Sequence, residues 1–215
     1  MLENKNSIEF IEYLKKKLQT NLLGFEAHKL MAPTIEGKIY RNFEPENDAY
    51  KSAVLILLIL DNNELKILFT LRSKNISHSG QISFPGGRSE INETAELTAL
   101  RETSEEVGIS KDIEIIGRLS TLYVPPSKSL IFPIIGFIKY LPNIIINSDE
   151  VQEAFLIPFD YFLTGNYLKK EVWNFDEQDV LVPFWDIHTV PLWGATAMIL
   201  SELIEISKAY FDSKQ

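Results

Sequence analysis

A chain of 215 residues, 45% hydrophobic, has the size and apolar content of one folded domain with a substantial core. Its 30 Asp and Glu against 21 Lys and Arg leave a net charge of -9, which argues against non-specific nucleic-acid binding and suits a collector of divalent cations. With no Cys, disulfides, thiolate metal sites and a cysteine nucleophile are excluded.

The opening stretch MLENKNSIEF lacks the basic-then-apolar order of a secretory signal. The longest dense apolar run, AVLILLIL at 53–60, is far shorter than the roughly 20 residues of a membrane span. A cytoplasmic protein with no membrane or nucleic-acid partner is expected. Ile8, Ile11, Leu14 and Leu18 recur at helical spacing, and the segment GFEAHKLMAPTIEG after them reads as a connection broken by Gly24, Pro33 and Gly37. Together they form an N-terminal, largely helical extension over about residues 6–36.

Strands are expected at 53–60 and 65–71 around the turn DNNE, then an amphipathic helix near 94–107 with Leu97, Leu100 and Val107 toward the core. Strand-like runs follow at 113–119, 131–138 and 143–147, punctuated by Pro125, Pro126 and Pro142. EVQEAFLIPFDYFL reads as a short helix broken by Pro158, and EVWNF with VLVPFW as a late hairpin. TAMILSELIEISKAYF closes the chain as a helix with Ile199, Leu203 and Ile206 on one face. No repeat or linker divides the chain, so one domain over 1–215 is expected, with strands and helices interleaved around a mixed sheet.

The segment FPGGRSEINETAELTALRETSEEVGI, residues 84–109, crowds Glu102, Glu105 and Glu106 onto one side of a helix, where like charges repel. A bound cation would offset that repulsion: Mg²⁺ or Mn²⁺ takes one or two carboxylates plus phosphate oxygens. Gly86 and Gly87 just before it allow a tight turn and a close approach of backbone to ligand. On charge alone, a solvated acidic face beside an ordinary turn is the competing reading.

The spacing is more specific than the charge. From Gly87 the chain reads G-x5-E-x7-R-E-T-x-E-E-x-G-I through Glu93, Arg101, Glu102, Glu105, Glu106 and Gly108. It resembles the Nudix box at every fixed position, departing only at Thr103, where the pattern prefers an aliphatic residue. The resemblance implies an α/β/α sandwich with a mixed central sheet, a box over 87–109, and hydrolysis of a nucleoside diphosphate linked to another group. It also implies Glu102, Glu105 and Glu106 as ligands of Mg²⁺ or Mn²⁺, with the Gly86 carbonyl as a further one. Arg101 would orient an acidic partner, Gly87 and Glu93 would support the loop, and Gly108 would end the helix. Glu150, in NSDEVQEAF, is the candidate general base and Glu153 the runner-up; for both, an acidic first turn favoured by a helix dipole competes.

Upstream, FTLRSKNISHSGQISFPGG at 69–87 is similar to the signature of the coenzyme A pyrophosphatase branch through Thr70, Arg72, Ser73, His78, Gly80, Gln81, Phe84 and Pro85. HKLMAP, NSDEV and PLWGATA extend the likeness. It implies a small nucleotide of the coenzyme A class as substrate, contacted by Arg72, Ser73, His78 and Gln81. Arg72 offers a planar fork for phosphate, such as the 3'-phosphate of coenzyme A. The alternatives are an ADP-ribose or other dinucleotide pyrophosphatase, toward which Pro125 points, and a silent nucleotide-sensing domain. A homodimer is an open expectation.

Overall fold

In the computed structural model the described residues are 4–213 without 21, 42, 75–78 and 176, with side chains from residue 7 onward. The chain begins with α1 (Asn4–Lys17), α2 (Phe25–His28) and a 3-10 turn (Lys29–Met31), then β1 (Thr34–Ile35) and β2 (Lys38–Ile39). The central hairpin is β3 (Tyr50–Asp61) and β4 (Glu64–Arg72). Its two loop residues, Asn62 and Asn63, have φ of 47° and 66°, the left-handed conformation a two-residue hairpin turn needs.

Short strands β5 (Ile82–Ser83) and β6 (Gly86–Arg88) lead into α3 (Ala95–Val107). Then come β7 (Glu114–Arg118), β8 (Leu122–Val124), β9 (Ser129–Ile138) and β10 (Val151–Pro158). The chain ends with α4 (Asp160–Leu163), the hairpin β11 (Leu168–Phe175) and β12 (Gln178–Trp185), and α5 (Gly194–Asp212). The larger sheet runs β10-β4-β3-β9-β7, with β5, β6 and β8 attached at its edges. Only β3 and β9 pair in parallel, so the sheet is mixed. The second sheet is β11-β12-β1-β2.

β3 shows why AVLILLIL carries no polar alternation. Ile56, Leu58 and Leu60 pack into one core with Phe10 and Leu14 of α1 and Leu203 of α5. Ala53, Leu55, Leu57 and Ile59 pack into the other with Ala99 and Val107 of α3. Helices cover both faces, so both sets of side chains must be apolar. Each fully buried Leu or Ile there contributes about 1.5–3 kcal/mol. The result is the expected α/β/α sandwich. No helix among the described residues is long and apolar enough to cross a membrane.

Four expectations are corrected. Residues 143–147 form no strand; Ile145 N–H donates to the Val107 carbonyl (3.0 Å) and Asn147 N–H to that of Glu106 (2.9 Å), so the segment closes the end of α3. Residues 151–158 are a strand on β4 rather than a helix, with Phe155 and Ile157 to one core and Ala154 and Leu156 to the other. The connection after α1 holds α2, the 3-10 turn and β1. Leu97 is 55% exposed; α3 instead buries Thr98, Ala99, Thr103 and Val107, small or branched side chains that let it lie close on β3.

Candidate active site

α3 is held at both ends. Thr94 caps it, its hydroxyl accepting from Leu97 N–H at 3.3 Å. Gly108 ends it in the left-handed region (φ 73°), its N–H donating to the Ser104 carbonyl. Thr103 fits its buried slot because its hydroxyl donates to the Ala99 carbonyl at 2.7 Å, so nothing polar is left over.

Arg101 ties the loop to the helix with all five of its donors. Nε and Nη2 hold the two oxygens of Glu93 (2.8 and 3.1 Å), and Nη2 also reaches the Arg88 carbonyl (3.0 Å). Nη1 bridges Glu102 and Glu105, at 2.9 Å each, setting those carboxylates side by side. The Arg101 bonds, helped by the Glu90 N–H, pull Glu93 down to about 2.

The glycines before the helix are there for room. A Cβ on Gly87 would sit 2.5–2.7 Å from the Glu102 carboxylate, and one on Gly86 would sit 2.4 Å from the Ala53 carbonyl. Glu102 is thereby packed against backbone, and burial raises its pKa against the opposing pull of Arg101.

One turn on, Glu106 is 3% exposed, and its Oε2 has no hydrogen-bond partner. Burial pushes its pKa up to about 8; Arg72 opposes this, Glu102 and Glu150 add to it, and the Gly86 N–H opposes it again. Arg72 therefore looks onto the acidic cluster, from the end of β4.

The structure gathers Glu102, Glu106 and Glu150, each offering an oxygen within 4.8 Å of the others. Glu105 stands beside them through Arg101, its side chain half exposed. Glu150 arrives by a route its sequence position alone did not indicate. Its carbonyl accepts from Ser73 N–H at 2.9 Å, and its side chain takes a bond from Asn147 Nδ2 at 3.2 Å. Glu153 points elsewhere, toward His188 Nε2 at 3.4 Å. Ser73 is buried, Gln81 lines the adjoining cleft, and His78 lies outside the described residues.

Three close carboxylates, one with a buried orphan oxygen, fit a hard divalent cation. Next to them opens a cleft of about 420 Å³ whose walls include Arg72, Gly86, Gly87, Pro125, Phe175 and Trp193. Reasoning from the sequence gave no role to Asn147, although it opens the NSDEV stretch that carries Glu150, nor to Arg88, which lines this cleft.

Fold and site together define an α/β protein with a cluster of three carboxylates beside an open cleft. Residues 49–177 match the NUDIX domain, and the chain belongs to the Nudix hydrolase family. It is 33% identical over 172 residues to Nudix hydrolase 3 of Caenorhabditis elegans, covering 72% of each chain. It is 36% identical over 126 residues to the mouse (Mus musculus) peroxisomal coenzyme A diphosphatase NUDT7, across 57% of this chain and 53% of that one. The match thus spans about half the length of the mouse relative. Among solved structures, the M. smegmatis Nudix hydrolase RenU superposes with a TM-score of 0.50 at 15% identity, over 78% of this chain and 94% of that one, a likeness of fold alone.

Proposed function

We propose that this pyrophosphohydrolase cleaves the diphosphate of coenzyme A or a derivative, giving 3',5'-ADP and a 4'-phosphopantetheine species. The observation that carries the chemistry is the convergence of Glu102, Glu106 and Glu150, with the Glu106 oxygen left without a partner. The substrate class is supported by the 69–87 signature and by the mouse relative's name.

Glu102 and Glu106, with Glu105 and the Gly86 carbonyl, would hold Mg²⁺ or Mn²⁺. A divalent cation there would supply charge neutralisation at the diphosphate and polarisation of the phosphorus under attack. Glu150, oriented by Asn147, accepts the proton of the attacking water; one water is consumed as the bridging P–O bond breaks. Arg72, facing Glu106 rather than a remote phosphate, steadies the diphosphate oxygens. Arg101 is a positioning residue: it fixes Glu102 and Glu105 without touching substrate. Gln81 on the cleft wall and His78 contact the substrate, while Ser73 anchors the Glu150 backbone.

An ADP-ribose reading draws on one observation, the place of Pro125 in the cleft wall. The test is a panel of coenzyme A, dephospho-coenzyme A, acyl-coenzyme A and ADP-ribose with Mg²⁺ or Mn²⁺, with products weighed by mass spectrometry. The proposal expects 3',5'-ADP from coenzyme A as the fastest product. ADP-ribose turned over faster than every coenzyme A species would overturn the substrate and leave the hydrolase chemistry standing.

A further inference from the structure

The wall of the cleft carries Arg41, Arg72 and Arg88 and no Asp or Glu, in a chain where acids outnumber bases by 30 to 21. A basic wall in an acidic protein draws in an anion. Arg72 faces the acidic cluster, so its work lies at the scissile diphosphate. The other two are distinct from it. Neither Arg41 nor Arg88 makes an ion pair within the described residues, and both are exposed at the cleft.

Arg88 is also held in place. Its carbonyl accepts from Arg101 Nη2 at 3.0 Å, which locks its backbone to the box. Its guanidinium lies 3.7 Å over the centroid of the Tyr50 ring, a cation–π contact that limits where the charge can swing. Arg41 sits on its own aromatic neighbour, 5.1 Å over the Tyr40 ring. Two guanidinium groups on aromatic supports, with no ion-pair partner among the described residues, suit a phosphate dianion.

We infer that Arg88, assisted by Arg41, forms a second anion subsite in the cleft that reads a phosphomonoester on the nucleotide, separate from the diphosphate being cleaved. Resting on the proposed function, that phosphate is the ribose 3'-phosphate of coenzyme A. The subsite makes the enzyme discriminate coenzyme A from dephospho-coenzyme A, which lacks that group alone.

Two measurements test it. The first is the ratio of kcat/KM for coenzyme A to that for dephospho-coenzyme A. Arg88→Ala should shrink this ratio about ten- to a hundredfold, with Arg41→Ala doing so to a smaller degree and Arg88→Lys restoring part of it. Equal losses on both substrates, or an unchanged ratio, overturn the inference. The second is calorimetric binding of 3',5'-ADP and 5'-AMP to the metal-free protein. The wild type should bind 3',5'-ADP more tightly, and Arg88→Ala should abolish most of that difference; equal binding of the two by the wild type overturns the subsite. If the wild type hydrolyses neither coenzyme A species, the proposed function falls, and the binding comparison still decides the subsite by itself.

Discussion

Glu106 on α3 and Glu202 on α5 are both buried carboxylates, 3% and 0% exposed, in opposite surroundings. Glu202 accepts from Gly24 N–H (2.7 Å), Ser120 N–H (2.9 Å) and Ser120 Oγ (2.8 Å). His28 Nε2 stands 3.4 Å from the same carboxylate. Burial alone would raise the Glu202 pKa; these partners outweigh it and hold the group below the usual carboxylate range. Glu106 has burial without that compensation, an oxygen with no partner, and two acids for neighbours. A saturated buried carboxylate joins elements of the fold: Glu202 ties the N-terminal extension and the turn between β7 and β8 to α5. An unsaturated one among other acids suits a cation, the role proposed for Glu106.

The contrast breaks most sharply at Glu106. Glu106→Gln keeps the shape and removes an anionic ligand, so kcat/KM should fall by more than about 10³-fold, the loss of several kcal/mol of charge stabilisation. The protein should stay as stable as the wild type or more so, because the cost of holding a buried carboxyl protonated at neutral pH is gone. Urea unfolding alongside the assay separates the two, and near-normal turnover at saturating Mg²⁺ would sink the cradle. Glu150→Gln should be next, at about 10²-fold or somewhat more, the usual range for a lost general base. A metal affinity close to that of the wild type would make Glu150 the proton acceptor; an affinity that collapses in step with the rate would make it a ligand instead.

Glu202 should show the reverse pattern. Glu202→Ala orphans the Gly24 and Ser120 donors, at about 1–3 kcal/mol for each buried group left unpaired. The loss should appear in the urea midpoint, with kcat retained in the protein that remains folded. A large drop in kcat at unchanged stability would erase the distinction between the two acids.

The two glutamates also differ in how far the sequence exposes them. Glu106 is legible because its spacing from Gly87, Glu93 and Arg101 is rigid, and the geometry explains that rigidity: a Cβ at 87 would collide with Glu102, and Arg101 has no donor to spare. Glu202 looks like an ordinary polar position in SELIEI, since its partners come from residues 82 and 178 positions away in the chain. Glu150 falls between these cases. A resemblance points to it, but its entry into the cluster depends on Asn147 and on the pairing of β10 with β4, a stretch whose period-two alternation competes with the helical reading around Pro158. Residues 143–147 were read as a strand for their Ile content, yet apolar residues also serve to cover a helix end, and no local pattern separates the two uses. Leu97 was assigned to the core by helical phase, but the small residues Ala99 and Thr103 set the face that approaches the sheet.

The smallest effect is in protons, and it sharpens the comparison without any turnover. Glu106 has a folded pKa of about 8 against 4.5 for a free carboxyl. A raised acid of this kind contributes stability that is fully present below about pH 4.5 and is lost as pH climbs through about 8, since the folded state holds a proton that the unfolded chain has given up. Glu202, shifted down, contributes in the other direction: its share is present above the free value and is lost as pH falls through its lowered one. The metal-free protein should therefore lose stability in both directions, through Glu202 as pH falls and through Glu106 as pH rises from about 4.5 to about 8. Glu106→Gln should remove the loss on the rising-pH side alone, measured as the difference in urea midpoint between variant and wild type from about pH 4.5 to about pH 9, which cancels other groups titrating there. Cation binding requires the carboxylate, so Mn²⁺ or Mg²⁺ added near neutral pH must displace that proton. Titration calorimetry in buffers of different ionisation enthalpy should count a release approaching one proton in the wild type and much less in Glu106→Gln. Zero release from the wild type would mean that Glu106 is already ionised and has a partner in solution, and the difference between the two buried glutamates would disappear.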